Sequence, residues 1–140
     1  MPRHMKAEEL MATDLVTLTE DETLAHAKRC MERGRIRHLP VVRERMLVGL
    51  VTHRDILSAS FSFLAEVDPK EQRRIFISIP VKDIMHRDVA SIGPEASVTE
   101  AAKILLKNKF GCLPVVDEKG ELVGLLTEAD FLHLTVRLLP

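Results

Sequence analysis

Apolar residues along this chain fall into helix-spaced and strand-like runs, and the whole series of runs occurs twice. After Thr23, the residues Leu24, Ala27 and Met31 recur at the three- and four-residue spacing of an amphipathic helix, and Gly34 suits the left-handed position after a helix end. Then comes "HLPVV" (38–42), short and β-branched, followed by the charged turn "RER" and a second apolar run, "MLVGLVT" (46–52). The pair predicts a β-hairpin. In the second half, Ser97 and Glu100 form an S-x-x-E capping box ahead of Ala101, Ala102, Ile104 and Leu105. "CLPVV" (112–116), "DEKG" and "ELVGLLT" then predict another hairpin. Thr52 and Thr127 close the strands and open the next helices. Between the halves, residues 56–67 continue helically, Asp68 caps a new helix with Pro69 at its first position, and Pro80 ends it.

Laying "LMATDLVTLTEDETL" (10–24) over "IMHRDVASIGPEASV" (84–98) gives a constant offset of 74 that pairs Met11 with Met85, Asp14 with Asp88 and Thr23 with Ser97. One extra residue near Gly120 moves the offset to 75, and "GLVTHRDI" (49–56) then falls on "GLLTEADF" (124–131). Each copy reads as β-α-β-β-α with a short leading helix at "EELM" or "VKDIM", which makes the fold class α+β. A three-stranded sheet with helices on one face cannot bury its other side alone, so the two copies are expected to pack together as a pseudo-twofold pair. The expected boundaries are a tag or disordered start at 1–5, with Met5 a candidate native start, then a first motif at 6–58, a helical linker at 59–80 and a second motif at 81–138.

Composition narrows the function more than the fold. A length of 140 residues suffices for one compact module. With 20 Lys and Arg against 21 Asp and Glu, no large basic field exists to gather nucleic acid or an anionic membrane. Cys30 and Cys112 lack C-x-x-C spacing, which argues against a disulfide framework or zinc site and suits a reducing, cytoplasmic setting. No signal peptide or membrane-length apolar run is present. The histidines, His4, His26, His38, His53, His86 and His133, form no metal-ligand pair, and "LSASFSF" reads as a helix surface rather than a nucleophile elbow. No metal site and no catalysis are expected. Phe61, Phe63, Leu64 and Phe76 are candidates for the core or for a subunit interface.

The repeated "hLPVV" strand, the "VGLVT--D" ending and the "DIM--DV" opening are similar to a pair of cystathionine-β-synthase (CBS) motifs, the Bateman module, over residues 8–134. The resemblance implies a pseudo-twofold pair with two clefts between the motifs, commonly a homodimer. It implies clefts holding AMP, ADP, ATP or S-adenosylmethionine, and no required cofactor.

The repeated T-x-x-D, Thr52 with Asp55 and Thr127 with Asp130, has two compatible readings. It forms a capping box, and it also sits at a helix N-terminus whose N–H groups and dipole suit a phosphate, with a carboxylate able to accept from a ribose diol. The resemblance implies that the Asp contacts the ribose and the Thr lies beside the phosphate. Around the first corner, Arg37, His38, His53 and Arg54 form a cationic cluster. Carried over by position, Arg54 and Arg37 or His38 would meet the phosphate, Thr17 would lie beside the ligand and the backbone at Val16 would read the adenine edge. Arg37 and His38 are equally placed to serve a cleft other than their own. Around the second corner Glu128, Ala129, Gly111 and Cys112 replace the four basic residues, and Ala90 and Ser91 fall on Val16 and Thr17. The first site is thus expected to take phosphate-bearing ligands. The second is expected to be weaker, empty or suited to an adenosine end without phosphate. Two functions follow: a non-catalytic module that binds an adenine nucleotide and signals to a separate effector protein, or a structural dimerisation scaffold with vestigial clefts. S-adenosylmethionine is the alternative ligand.

Overall fold

The computed structural model describes residues 4–64, 68–108 and 110–140, with residues 60–64 as backbone alone. The chain divides into two units that do not coincide with its two repeats: Val16–Val89, and Met1–Leu15 together with Ala90–Pro140. The leading segment of each repeat therefore belongs to the unit built by the other repeat.

In the unit Val16–Val89, helix α2 (Leu24–Gly34) starts at Thr23, whose side chain accepts from the His26 N–H at 3.1 Å. Its left-handed residue is Arg35, at φ 52°, so Gly34 is the last helical residue and not the cap expected for it. Strands β1 (His38–Arg43) and β2 (Met46–Thr52) form the expected antiparallel hairpin, with a bulge after Val41. Helix α3 (His53–Leu64) follows β2 without a spacer. Helix α4 (Pro69–Ser78) is capped by Asp68, whose carboxylate accepts from the N–H groups of Lys70 and Glu71. A short 3₁₀ turn, Val81–Asp83, stands where a leading helix was expected. Leu24, Ala27 and Met31 of α2 pack with Leu39, Val41, Val51, Ile56, Phe76, Val81 and Met85 into one core. Phe76 is thus a core residue, while the side chains of Phe61, Phe63 and Leu64, and residues 65–67 of the expected helix, lie outside the described part.

The other unit repeats the plan. Helix α1 (Ala7–Leu10) leads, and α5 (Val98–Lys107) is capped by Ser97, which accepts from the Glu100 N–H at 3.1 Å. Strands β3 (Cys112–Val116) and β4 (Leu122–Thr127) pair with a bulge after Val115, and α6 (Glu128–Leu138) closes the unit. Its core joins Ala7, Ile92, Ala101, Leu105, Leu113, Val115 and Leu126.

The first strand expected in each copy shrinks to a single parallel bridge, Leu18 to Val41 and Ile92 to Val115. Proline is the reason. Leu18 donates to the Pro40 carbonyl and accepts from the Val42 N–H, but the next bond back along the ladder would need a Pro40 N–H that does not exist; Pro114 stops Ile92 in the same way.

On the opposite edge of each hairpin a leader crosses from the other repeat. His86 exchanges two backbone hydrogen bonds of 2.9 Å with Leu50, and Ala12 exchanges two of 3.0 Å with Leu125. Glycine makes this approach possible. A Cβ on Gly49 would stand 2.6 Å from Met85 Sδ and 3.1 Å from the His86 carbonyl oxygen, and one on Gly124 would collide with the Met11 side chain.

Candidate functional site

Each unit places a Thr and an Asp where a strand turns directly into a helix. At the end of β2 the Thr52 N–H and hydroxyl donate to Asp55 Oδ2 at 2.7 and 2.9 Å, and the Asp55 N–H donates back to Thr52 Oγ1 at 3.3 Å. The His53 N–H donates to the Arg37 carbonyl at 2.8 Å. Two of the first three N–H groups of α3 are therefore taken within the protein, so little of the helix end is left to meet an anion. At the end of β4 the Thr127 N–H and hydroxyl donate to Asp130 Oδ2 at 2.8 and 3.3 Å, and the capping box is complete in both directions. The capping geometry anticipated for T-x-x-D is present in both units and occupies one oxygen of each carboxylate.

The remaining oxygens differ. His86 Nε2 lies 2.7 Å from Asp55 Oδ1. An ionised carboxylate can only accept, so Nε2 carries the proton. Asp55 is 18% exposed and His86 37%, which leaves the pair at the edge of solvent. Beside Asp130 the same leader position is Ala12, which has no polar side chain, and no hydrogen bond from a described residue reaches Asp130 Oδ1.

The other candidates are scattered around these corners. His38 is half-buried and pairs in register with Thr52, as Cys112 does with Thr127. Burial pushes the Cys112 thiol up to about 12. Arg37 and His53 line a groove of about 480 Å³ together with Lys28 of α2 and Arg35, the residue that caps that helix; Thr52, Arg54 and Asp55 do not line it. Helix geometry explains the split. His53, Ile56 and Leu57 share one face of α3, and Asp55 points away from it. Arg54 is exposed. Val16, 45% exposed, and Thr17, half-buried, precede the Leu18 bridge along the β1 edge, and Ala90 and Ser91, both exposed, precede the Ile92 bridge along the β3 edge. Among the described residues, no group of three or more His, Cys, Asp or Glu could hold a metal ion, and no helix is long and apolar enough to cross a membrane.

Sequence reasoning missed His86, which it weighed only as a metal ligand. The available signal was the repeat alignment itself, which puts a polar, ring-bearing residue in one leader and Ala12 in the other.

The fold as a whole has counterparts among known proteins. The CBS domain family model matches residues 7–62 and 81–137, and the chain belongs to that family. A CBS domain-containing protein of Dictyostelium discoideum is 35% identical over 133 residues, covering 94% of this chain and 91% of the relative. The inosine-5'-monophosphate dehydrogenase of Korarchaeum cryptofilum is 37% identical over 128 residues, 91% of this chain. The homoserine O-acetyltransferase of Methanococcoides burtonii is 30% identical over 132 residues, 94% of this chain. In both enzymes the chain spans only 24% of the length. Among solved structures, a protein assigned to acetoin utilization (AcuB) from Vibrio cholerae superposes with a TM-score of 0.80 at 36% identity, over 97% of this chain and 93% of that one. CBSX2, a CBS-pair protein of Arabidopsis thaliana solved in complex with AMP, gives 0.79 at 24% identity, over 94% and 96%. The CBS domain pair of protein MJ0100, solved with 5'-methylthioadenosine and S-adenosyl-L-methionine, gives 0.79 at 24%, over 96% and 98%. At 24% identity the last two likenesses speak for the fold.

Proposed function

We propose that this chain is a non-catalytic regulatory module that binds an adenosine-containing ligand at its Thr-Asp corners, with AMP, ADP and ATP as the first candidates. The observation that carries the reading is the pair of matching carboxylates, Asp55 and Asp130, each held rigid by a Thr at a strand-to-helix junction and each half-buried at the protein surface. A fixed carboxylate at the edge of solvent is a suitable acceptor for a ribose diol. The CBSX2 complex with AMP supports the choice of ligand. The relatives support the regulatory role: stretches matching this chain make up about a quarter of both a dehydrogenase and an acyltransferase, whose chemistries have nothing in common. In this reading the module works as a homodimer in the cytoplasm, reports adenylate level as an energy sensor, and transmits a ligand-biased conformation to a separate effector protein.

S-adenosylmethionine is the second ligand reading. The junction at Asp130 favours it, since Glu128 and Ala129 open α6 there and no basic residue flanks the Asp.

Thermal unfolding with each of the four ligands tests the proposal. A ligand at a hundred times its Kd stabilises the native state by about 2.7 kcal/mol, enough for a clear rise in Tm. The rise should appear with at least one ligand and vanish in the Asp55→Ala, Asp130→Ala double variant. A flat response to all four leaves a structural scaffold as the function.

A further inference from the structure

The two corners share the bulge, the glycine and the leader that crosses it, and they differ where the leader passes the carboxylate. That position is His86 beside Asp55 and Ala12 beside Asp130. Docking the leader does not require the imidazole. Ala12 makes the same two backbone bonds at 3.0 Å that His86 makes at 2.9 Å. The His86 side chain therefore has another consequence, and it falls on Asp55.

Counting acceptor sites shows what that consequence is. A carboxylate offers about four, two on each oxygen. Thr52 uses two on Asp55 Oδ2, and His86 uses one on Oδ1. One remains, and a ribose diol donates two hydrogen bonds. At Asp130, Thr127 uses two on Oδ2, and both sites on Oδ1 remain. We propose that His86 is a specificity-determining residue that closes the Asp55 corner to a ribose, so that adenosine ligands fill the Asp130 corner first and enter the Asp55 corner only by displacing the imidazole.

This inference rests on the adenosine reading above. It reverses the order that charge alone suggests, and magnitudes decide between the two. Arg37, His53 and Arg54 are exposed, and a solvent-screened cation beside a phosphate changes affinity by only a few-fold. Breaking a short imidazole-carboxylate hydrogen bond costs roughly tenfold or more.

Titration calorimetry on the full chain tests the inference, with AMP, with 5'-methylthioadenosine, which keeps the diol and lacks the phosphate, and with 2'-deoxy-AMP, which has lost one hydroxyl. For the two diol ligands, His86→Ala should strengthen the weaker of two binding events roughly tenfold, and Ala12→His should weaken the stronger one by a similar factor. Asp130→Asn, which keeps the helix cap, should remove the stronger event. With 2'-deoxy-AMP the gain from His86→Ala should stay under about threefold, because one acceptor site already suffices; a purely structural effect of the substitution would act on all three ligands alike. The inference fails if His86→Ala leaves AMP affinities within about twofold of wild type, if it helps 2'-deoxy-AMP as much as AMP, or if Asp55→Asn rather than Asp130→Asn removes the stronger event. Absence of binding heat with all three ligands, in wild type and in His86→Ala alike, defeats the adenosine reading itself and the inference with it.

Discussion

Cys112 shows how a single position in the strand sets its chemistry. It opens β3 directly opposite Thr127, has no exposed surface, and its thiol is raised from an ordinary value near 9 to about 12 by burial. A thiol whose folded pKa lies above its unfolded one stabilises the fold fully below about pH 9, and that contribution is lost as pH climbs from there towards 12. At pH 8 Cys112 should be protonated, inaccessible and inert, while Cys30 is only half-buried on α2. Iodoacetamide at pH 8 should therefore alkylate Cys30 in the native protein and Cys112 only after denaturant is added, as read by peptide mass spectrometry. Equal native labelling of both would contradict the burial. The sequence marked Cys112 as unpaired and apolar in context. It did not show that the register places the thiol behind the corner residue Thr127.

At the scale of elements, the hairpin turns carry the clearest mismatch between residue and conformation. Arg43 pairs with Met46, so β1 and β2 are joined by two residues, Glu44 at φ 49° and Arg45 at φ 74°. Both positive angles match a type I' turn, which favours Asn-Gly, and each costs a non-glycine residue about 1–2 kcal/mol. Arg43 stands just outside the turn and pairs with Glu20. Its Nε donates to Glu20 Oε1 at 2.7 Å, chiefly through which the Glu20 carboxyl is held below its usual range. The longer turn of the other hairpin is better matched, with Gly120 at φ 86° and Asp117 Oδ1 accepting from Lys119 and Glu121. Replacing Glu44-Arg45 with Asn-Gly should raise stability by roughly 1 kcal/mol or more in urea unfolding, with no change in ligand affinity. A loss of stability would mean that the present pair makes compensating contacts. Helix caps at Thr23, Asp68 and Ser97 and both hairpins were legible because each rests on a local rule of spacing and side-chain chemistry. The missing first strands were not legible, because Pro40 had to be placed as the neighbour of Leu18 before its absent N–H could matter.

For the whole molecule, the folding units differ from the repeats. Val81 and Met85 belong by alignment to the second repeat, yet they are buried in the core built by the first, and Ala7 is buried in the core built by the second. A fragment cut at the repeat boundary, residues 1–80, lacks Val81, Met85 and the 85–86 leader that pairs with β2. A fragment cut at the unit boundary, residues 16–89, retains all three. The 16–89 fragment should unfold cooperatively in urea, and 1–80 should show a weaker or non-cooperative transition by circular dichroism. Cooperative unfolding of 1–80 at equal or higher urea would show that the leader is dispensable.

Both hairpins, most helices and the Thr-Asp corners were determined by the sequence alone, since each follows from interactions within about a dozen neighbouring residues, and the duplication was legible because its two copies can be compared directly along one chain. The exchange of leaders, and with it the meeting of His86 and Asp55 across 31 residues of chain, was decided by tertiary structure. No local pattern encodes that meeting. It depends on Gly49 letting a distant backbone lie against β2, a contact that exists only once the chain has folded around the core shared by Val51, Val81 and Met85.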